Sequence, residues 1–298
     1  MARGKWEAFA GISAVHLAST VKGVPGLREL SKPLLMPALL AAWSATAPTS
    51  PSDSAASGGA DARFGRTDRA DRTDARLVAG ALLASCAGDT LLLGDGPLFL
   101  AGMGAFGTAH LCWIARFQRE LRAFAASEPA APEPEHDPGT GSSIGSGSGT
   151  RTGRAGRFLA RVGRVAGAPP RRRRRAGAVC AGYAAAWAGV TAALWPGLDP
   201  ELRLPVAGYA ALLCGTAAVS ALVGRRAGLG GLLFLISDGM IAGKLAHWPE
   251  LPATDFWIMA TYLLAQYLLT TGVTPGELPA AVATALGDGI SEARLRSE

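Results

Sequence analysis

Asp89 and Asp238 each lie deep inside a long apolar run. An aspartate near the middle of a membrane-spanning helix costs on the order of 2.5–3.5 kcal/mol, and the default reading of such a residue is function. Two carboxyls meeting in a water-poor cavity do not both ionise, because like charges a few ångströms apart repel strongly there. One then holds a proton while the other is a carboxylate, which places a general acid beside a base, as in a hydrolase active site. His110, Tyr262 and Gln266 fall at compatible levels of their own apolar runs. Lys32, next to Pro33, reads either as a contact for a phosphate or carboxylate or as an interfacial lysine snorkelling to water. Asp95, Lys244, His247 and Asp255 sit at the ends of apolar runs, where charge is solvated.

Other chemistries find little support. Gly145-Ser146-Gly147-Ser148-Gly149 has no Lys-Ser/Thr ending and no flanking strand pattern, so it reads as a linker and not as a phosphate loop. Cys86, Cys112, Cys180 and Cys214 are scattered singly, with no CxxC spacing and no neighbouring histidine cluster. They read as small packing residues.

The elements that must hold the aspartates follow from composition. Of 298 residues, 49% are apolar and only 17% charged, against about 25% charged in a soluble domain. The polar residues collect in two blocks, which leaves eight apolar stretches near the length of about 20 residues that a bilayer requires. These are Trp6–Val21, Lys32–Ala47, Leu77–Gly94, Leu98–Phe117, Gly177–Trp195, Leu204–Val223, Ala227–Leu245 and Thr254–Gly272. The expected fold is therefore all-α: a single polytopic domain of eight transmembrane helices. The first stretch follows Arg3 and Lys5 but shows no convincing cleavage site, so it reads as an uncleaved helix. From the starts of the third and seventh stretches, a rise of 1.5 Å per residue puts Asp89 and Asp238 at about the same depth, roughly 16–18 Å in.

Charge placement tests that count. With eight spans, nearly all of the 29 lysines and arginines fall on one side; only Lys22, Arg28, Lys32, Arg203 and Lys244 fall on the other. The positive-inside rule then puts both termini in the cytoplasm. The polar blocks at 48–76 and 119–175 become cytoplasmic insertions whose Ser, Pro, Gly and Arg content cannot bury enough surface to fold. The Arg171–Arg175 run adjoins a membrane helix, so topology and anionic lipid explain it and nucleic acid is not an expected partner. Trp6, Trp113, Trp195, Trp248 and Trp257 read as interfacial anchors. A helix with Gly88-Asp89 followed by one with His110 faintly matches a helix with Ser237-Asp238 followed by one with Gln266. Two parallel four-helix repeats would bring the third and seventh spans together.

Four separated motifs carry a resemblance. Ser31-Lys32-Pro33-Leu34-Leu35-Met36-Pro37, then Gly88-Asp89 with Gly107-Thr108-Ala109-His110-Leu111, then Phe234-Leu235-Ile236-Ser237-Asp238, then Thr261-Tyr262-Leu263-Leu264-Ala265-Gln266 resemble the YhhN-like lysoplasmalogenase family. The resemblance covers nearly the whole membrane portion; the polar insertions and the segment from Gly287 have no counterpart. It implies a multi-pass cell-membrane enzyme that hydrolyses the vinyl ether bond of a lysoplasmalogen, a lysophospholipid substrate, to a fatty aldehyde and a glycerophospho-head group. The matching residues are Lys32, Asp89, His110, Asp238, Tyr262 and Gln266, with Asp89 and Asp238 as the catalytic pair and the others as substrate-binding residues. Vinyl ethers resist base and yield to acid, so one protonated and one ionised aspartate would suffice without metal or cofactor. A lipid or small-solute transporter, with the aspartates as proton relay sites, is the competing class. An intramembrane aspartyl protease fits less well: the Gly-x-Gly-Asp pattern fails at Cys86, and no Tyr precedes Asp238.

Overall fold

The computed structural model describes residues 2–46, 64–94, 96–127 and 170–272. Among them it forms α-helices and no strands: α1 (Ala2–Lys22), α2 (Pro25–Ser44), α3 (Phe64–Leu91), α4 (Pro97–Ser127), α5 (Pro170–Leu194), α6 (Pro200–Val223), α7 (Arg225–Leu245) and α8 (Thr254–Thr271). Prolines open α2, α4, α5 and α6, where the missing N–H has no helical partner to lose. Four of the described helices, α4 to α7, are long and apolar enough to cross a membrane.

The helices close into a ring. In order around it, α1 packs on α2, α2 on α3, α3 on α4, α4 on α6, α6 on α7, α7 on α8, and α8 returns to α1. Helix α5 lies outside, against α6, and is largely exposed. Trp6 near the start of α1 meets Tyr267 near the end of α8, edge to face at 5.7 Å, so those two helix ends share one end of the bundle. At the opposite end Asp255 of α8 takes Lys244 of α7 at 2.8 Å and Arg28 of α2 at 3.4 Å. These exposed pairs contribute little energy, but they show which helix ends lie together.

Several expectations shift. The second helix begins at Pro25 and runs unbroken through Pro33 and Pro37, so Lys32 is not its first residue at the interface but lies one to two turns inside. Pro37 has no N–H for the Pro33 carbonyl, which would leave that oxygen orphaned; the Cys86 thiol of α3 donates to it instead, at 3.3 Å. Helix α3 starts at Phe64, well before Leu77, and α4 runs on to Ser127. Parts of both polar blocks are thus helical, and Arg119 and Arg116 of α4 reach Asp74 of α3 at 2.7 and 3.8 Å. The remainder of those blocks, Asp95 and the C-terminal segment lie outside the described residues. Trp113 is no interfacial anchor: it is fully buried and stacks on Phe117 at 5.8 Å. Helices α3 and α7 are not adjacent in the ring but are separated by α4 and α6 on one side, so the third and seventh spans do not come together as a packed pair.

Two consecutive glycines set how closely α7 approaches its neighbours. A Cβ on Gly231 would stand 2.8 Å from the Ala217 Cα of α6, and one on Gly230 would stand 3.0 Å from the Leu269 backbone nitrogen of α8. Both contacts are with backbone, which cannot swing away, and small residues are what lets membrane helices pack this closely. Gly231→Val should therefore destabilise the protein by about 1–3 kcal/mol through overpacking. A lowered melting midpoint in detergent is the check, with Gly239→Val, where nothing lies within 4 Å, as the unaffected control.

Candidate functional site

The site lies toward the end of the bundle marked by Arg28, Lys244 and Asp255. Six helices contribute to one cavity of about 90 Å³: Lys32 from α2, Asp89 from α3, Phe99, Met103 and Phe106 from α4, Val206 and Tyr209 from α6, Asp238 and Ile241 from α7, and Met259 and Tyr262 from α8. Its walls are mainly aliphatic and aromatic, and its polar groups converge from several helices, the usual form of a ligand site. The volume is well below the roughly 300–1,000 Å³ that encloses a drug-sized ligand, yet a water needs only about 10–15 Å³. The cavity can therefore hold a reacting group and water, not a whole lipid.

Asp89 lies two residues before the end of α3, further from mid-helix than the span count implied. It is 2% exposed, and both of its oxygens are engaged. The Tyr262 hydroxyl donates to Oδ2 at 2.7 Å, and the Lys32 ammonium stands 3.6 Å from Oδ1. Asp238, at mid-helix in α7, accepts a hydrogen bond on Oδ2 from the Tyr209 hydroxyl of α6. The two carboxyls thus face one cavity, each held by a tyrosine from a different helix.

His110 and Gln266 stand behind that layer and do not line the cavity. The Gln266 amide donates to the Tyr262 oxygen at 3.3 Å and to Ser85 of α3 at 2.8 Å. His110 is fully buried, with Nε2 3.3 Å from the Tyr209 oxygen and Nδ1 3.1 Å from Thr216 Oγ1. Of the four residues expected to contact substrate, Lys32 and Tyr262 line the cavity; His110 and Gln266 hold the tyrosines. Tyr209 was not singled out by sequence reasoning at all. Its signal was available, because it lies nine residues past the start of α6 while Tyr262 lies eight past the start of α8.

An aromatic floor fixes this geometry. Phe106, Phe234 and Tyr262 meet edge to face, with centroids 5.5–6.3 Å apart, and His110 lies against Phe234 at 4.7 Å. Such pairs each add about 0.5–1.5 kcal/mol beyond burial. Gly88 makes room for the floor: a Cβ there would stand 2.5 Å from the Phe106 ring. Phe106 cannot yield without pressing on Tyr262, which holds Asp89. Gly88→Ala should accordingly cost about 1–3 kcal/mol of stability, read as a lower melting midpoint in detergent.

Comparison with known proteins places the chain in a family. The YhhN family model matches residues 27–132 and 164–273, which include Lys32, Asp89, His110, Tyr209, Asp238, Tyr262 and Gln266. The chain is 38% identical over 82 residues to lysoplasmalogenase TMEM86B of Homo sapiens, covering 28% of this chain and 36% of that protein. It is 40% identical over 73 residues to lysoplasmalogenase TMEM86B of Rattus norvegicus, covering 24% of this chain and 31% of that protein. The matched segments span about a third of the length of these curated relatives. No solved structure matches. With most of α2, all of α3 to α8 and every polar residue of the cavity inside the matched segments, the chain belongs to the YhhN family.

Proposed function

We propose that this protein is a lysoplasmalogenase-like hydrolase of the cell membrane, with eight transmembrane helices and both termini in the cytoplasm. It cleaves the vinyl ether bond of a lysophospholipid to a fatty aldehyde and a glycerophospho-head group. The observation that carries this reading is that Asp89 and Asp238 line one apolar cavity. The named activity of the two relatives gives it its substrate class. By the arginine distribution, the cavity lies in the half of the membrane away from the cytoplasm.

The reaction needs a proton on carbon and a water. One aspartate, in its acid form, transfers its proton to the β-carbon of the vinyl ether, and the double bond becomes an oxocarbenium ion. The second aspartate, ionised, faces the developing positive charge in a site of low dielectric, where such stabilisation is worth most. Water then adds to the cation and returns a proton to the first carboxylate, giving a hemiacetal. Breaking its C–O bond, with one proton passed to the leaving oxygen and the hydroxyl proton taken up, yields aldehyde and alcohol and restores both carboxyls. One water is consumed. Leu92, Met103, Ile241 and Met259 offer apolar contact to the alkenyl carbons next to the reacting bond.

The test is direct. Purified protein in detergent, given a lysoplasmalogen, should release fatty aldehyde in an amount equal to the head-group product. Flux of lipid or protons in proteoliposomes, with the substrate recovered chemically unchanged, would establish a transporter instead.

A further inference from the structure

The two aspartates are not equivalent, and the difference assigns their roles. Asp89 is set against a positive charge: Oδ1 faces the Lys32 ammonium at 3.6 Å, and Oδ2 accepts from Tyr262. A cation beside one oxygen and a hydrogen bond donated to the other both favour the ionised carboxylate. Asp238 has one hydrogen bond among the described residues, accepted on Oδ2 from Tyr209. Its Oδ1 remains available, and among the described residues no cation stands against it as Lys32 stands against Asp89.

The hydrogen bonds behind Tyr209 run in one direction. A tyrosine has a single hydroxyl hydrogen, and here it goes to Asp238. The Tyr209 oxygen can then only accept from His110, so Nε2 of His110 carries its hydrogen, and Nδ1, 3.1 Å from Thr216 Oγ1, is the nitrogen without one. The chain His110 to Tyr209 to Asp238 is thereby fixed in sense, and it draws on α4, α6 and α7 in turn. Its effect is to hold Oδ2 of Asp238 as the acceptor and to leave Oδ1 as the oxygen that bears a proton. His110 is fully buried and its ring edge is locked against Phe234 and Tyr209, so the arrangement has little freedom to reverse.

We infer that Asp238 is the proton donor of the pair and that Tyr209, held by His110, is the positioning residue that aims it, while Asp89 stays ionised against Lys32. This rests on the proposed hydrolysis for its meaning as catalysis, but its test does not need substrate. The groups that face Asp238 from the surrounding helices are Tyr209, His110, Asp89, Lys32 and Tyr262.

Infrared spectroscopy of the purified full chain in detergent at neutral pH separates a protonated carboxyl from a carboxylate by its carbonyl stretch. The expected result is a protonated-carboxyl band in the unmodified protein that is lost in Asp238→Asn, retained in Asp89→Asn, and shifted in Tyr209→Phe as the hydrogen bond to Oδ2 disappears. Loss of the band in Asp89→Asn, its persistence in Asp238→Asn, its absence from the unmodified protein, or an unmoved band in Tyr209→Phe would each overturn the assignment. Tyr209→Phe keeps the ring, and an unchanged size-exclusion profile reports that the bundle is intact. On substrate the same variant should lower kcat by about tenfold with KM little changed, the signature of an interaction made in the transition state. A protein that showed the expected spectra but released no aldehyde would sink the proposed activity and leave the assignment of the proton standing.

Discussion

Asp238→Asn should reduce aldehyde release by about 10²–10⁴-fold, the range that a positioned general acid contributes. Asparagine has nearly the same shape and still offers an oxygen to Tyr209, so the hydrogen-bonded frame of α4, α6 and α7 survives the change. What it lacks is a proton to give to carbon. Asp89→Asn should also fall steeply, by about 10²–10³-fold, because it removes the negative charge that faces the cation, a loss of the size seen when an electrostatic stabiliser is deleted. The Asp89 change also leaves Lys32 and Tyr262 both donating toward a group with one acceptor oxygen, so some loss of stability accompanies it. Turnover per folded protein, measured on aldehyde with a lysoplasmalogen substrate, is the check. Full turnover in either variant would remove the acid and carboxylate pair from the mechanism.

The aspartates were legible because a charge inside an apolar run stands out in a sequence, and the same is true of His110 and Gln266. What the sequence cannot show is azimuth. Rise per residue places a side chain at a depth along its helix but does not say whether it lines a cavity or stands behind one, and His110 and Gln266 proved to stand behind. Tyr209 does not stand out in the sequence because a tyrosine in an apolar run is ordinary, whereas the motif around Tyr262 marks it. The position of Lys32 is hidden for another reason. Its neighbours Pro33 and Pro37 read as a helix beginning, and the Cys86 thiol that relieves the orphaned Pro33 carbonyl comes from a different helix, 53 residues away. The residue type of Trp113 suggests an anchor, but its place in the ring buries it completely.

Lys32→Met should destabilise the protein by about 3–5 kcal/mol, the effect of leaving a buried charge without its partner. The Lys32 side chain is 16% exposed and that of Asp89 3%, so water does little to screen the pair. Methionine fills the space of the lysine stem, which makes the lost ammonium and not a cavity the source of the change. The sharper result comes from the double variant. With Asp89→Asn in place there is no buried charge to abandon, and adding Lys32→Met should then cost much less than it does alone. The difference between the two costs is the coupling energy of the pair, which for residues in contact runs to about 0.5–3 kcal/mol. Asp238→Asn supplies the control, since Asp238 has no such ion pair among the described residues: Lys32→Met should cost nearly as much in that background as in the unmodified protein. Melting midpoints of the four Lys32/Asp89 combinations, with the matching set on Asp238, measure both couplings. Equal coupling of Lys32 to the two aspartates would mean that its ammonium does not distinguish them, and Asp89 would lose its standing as the ionised member of the pair.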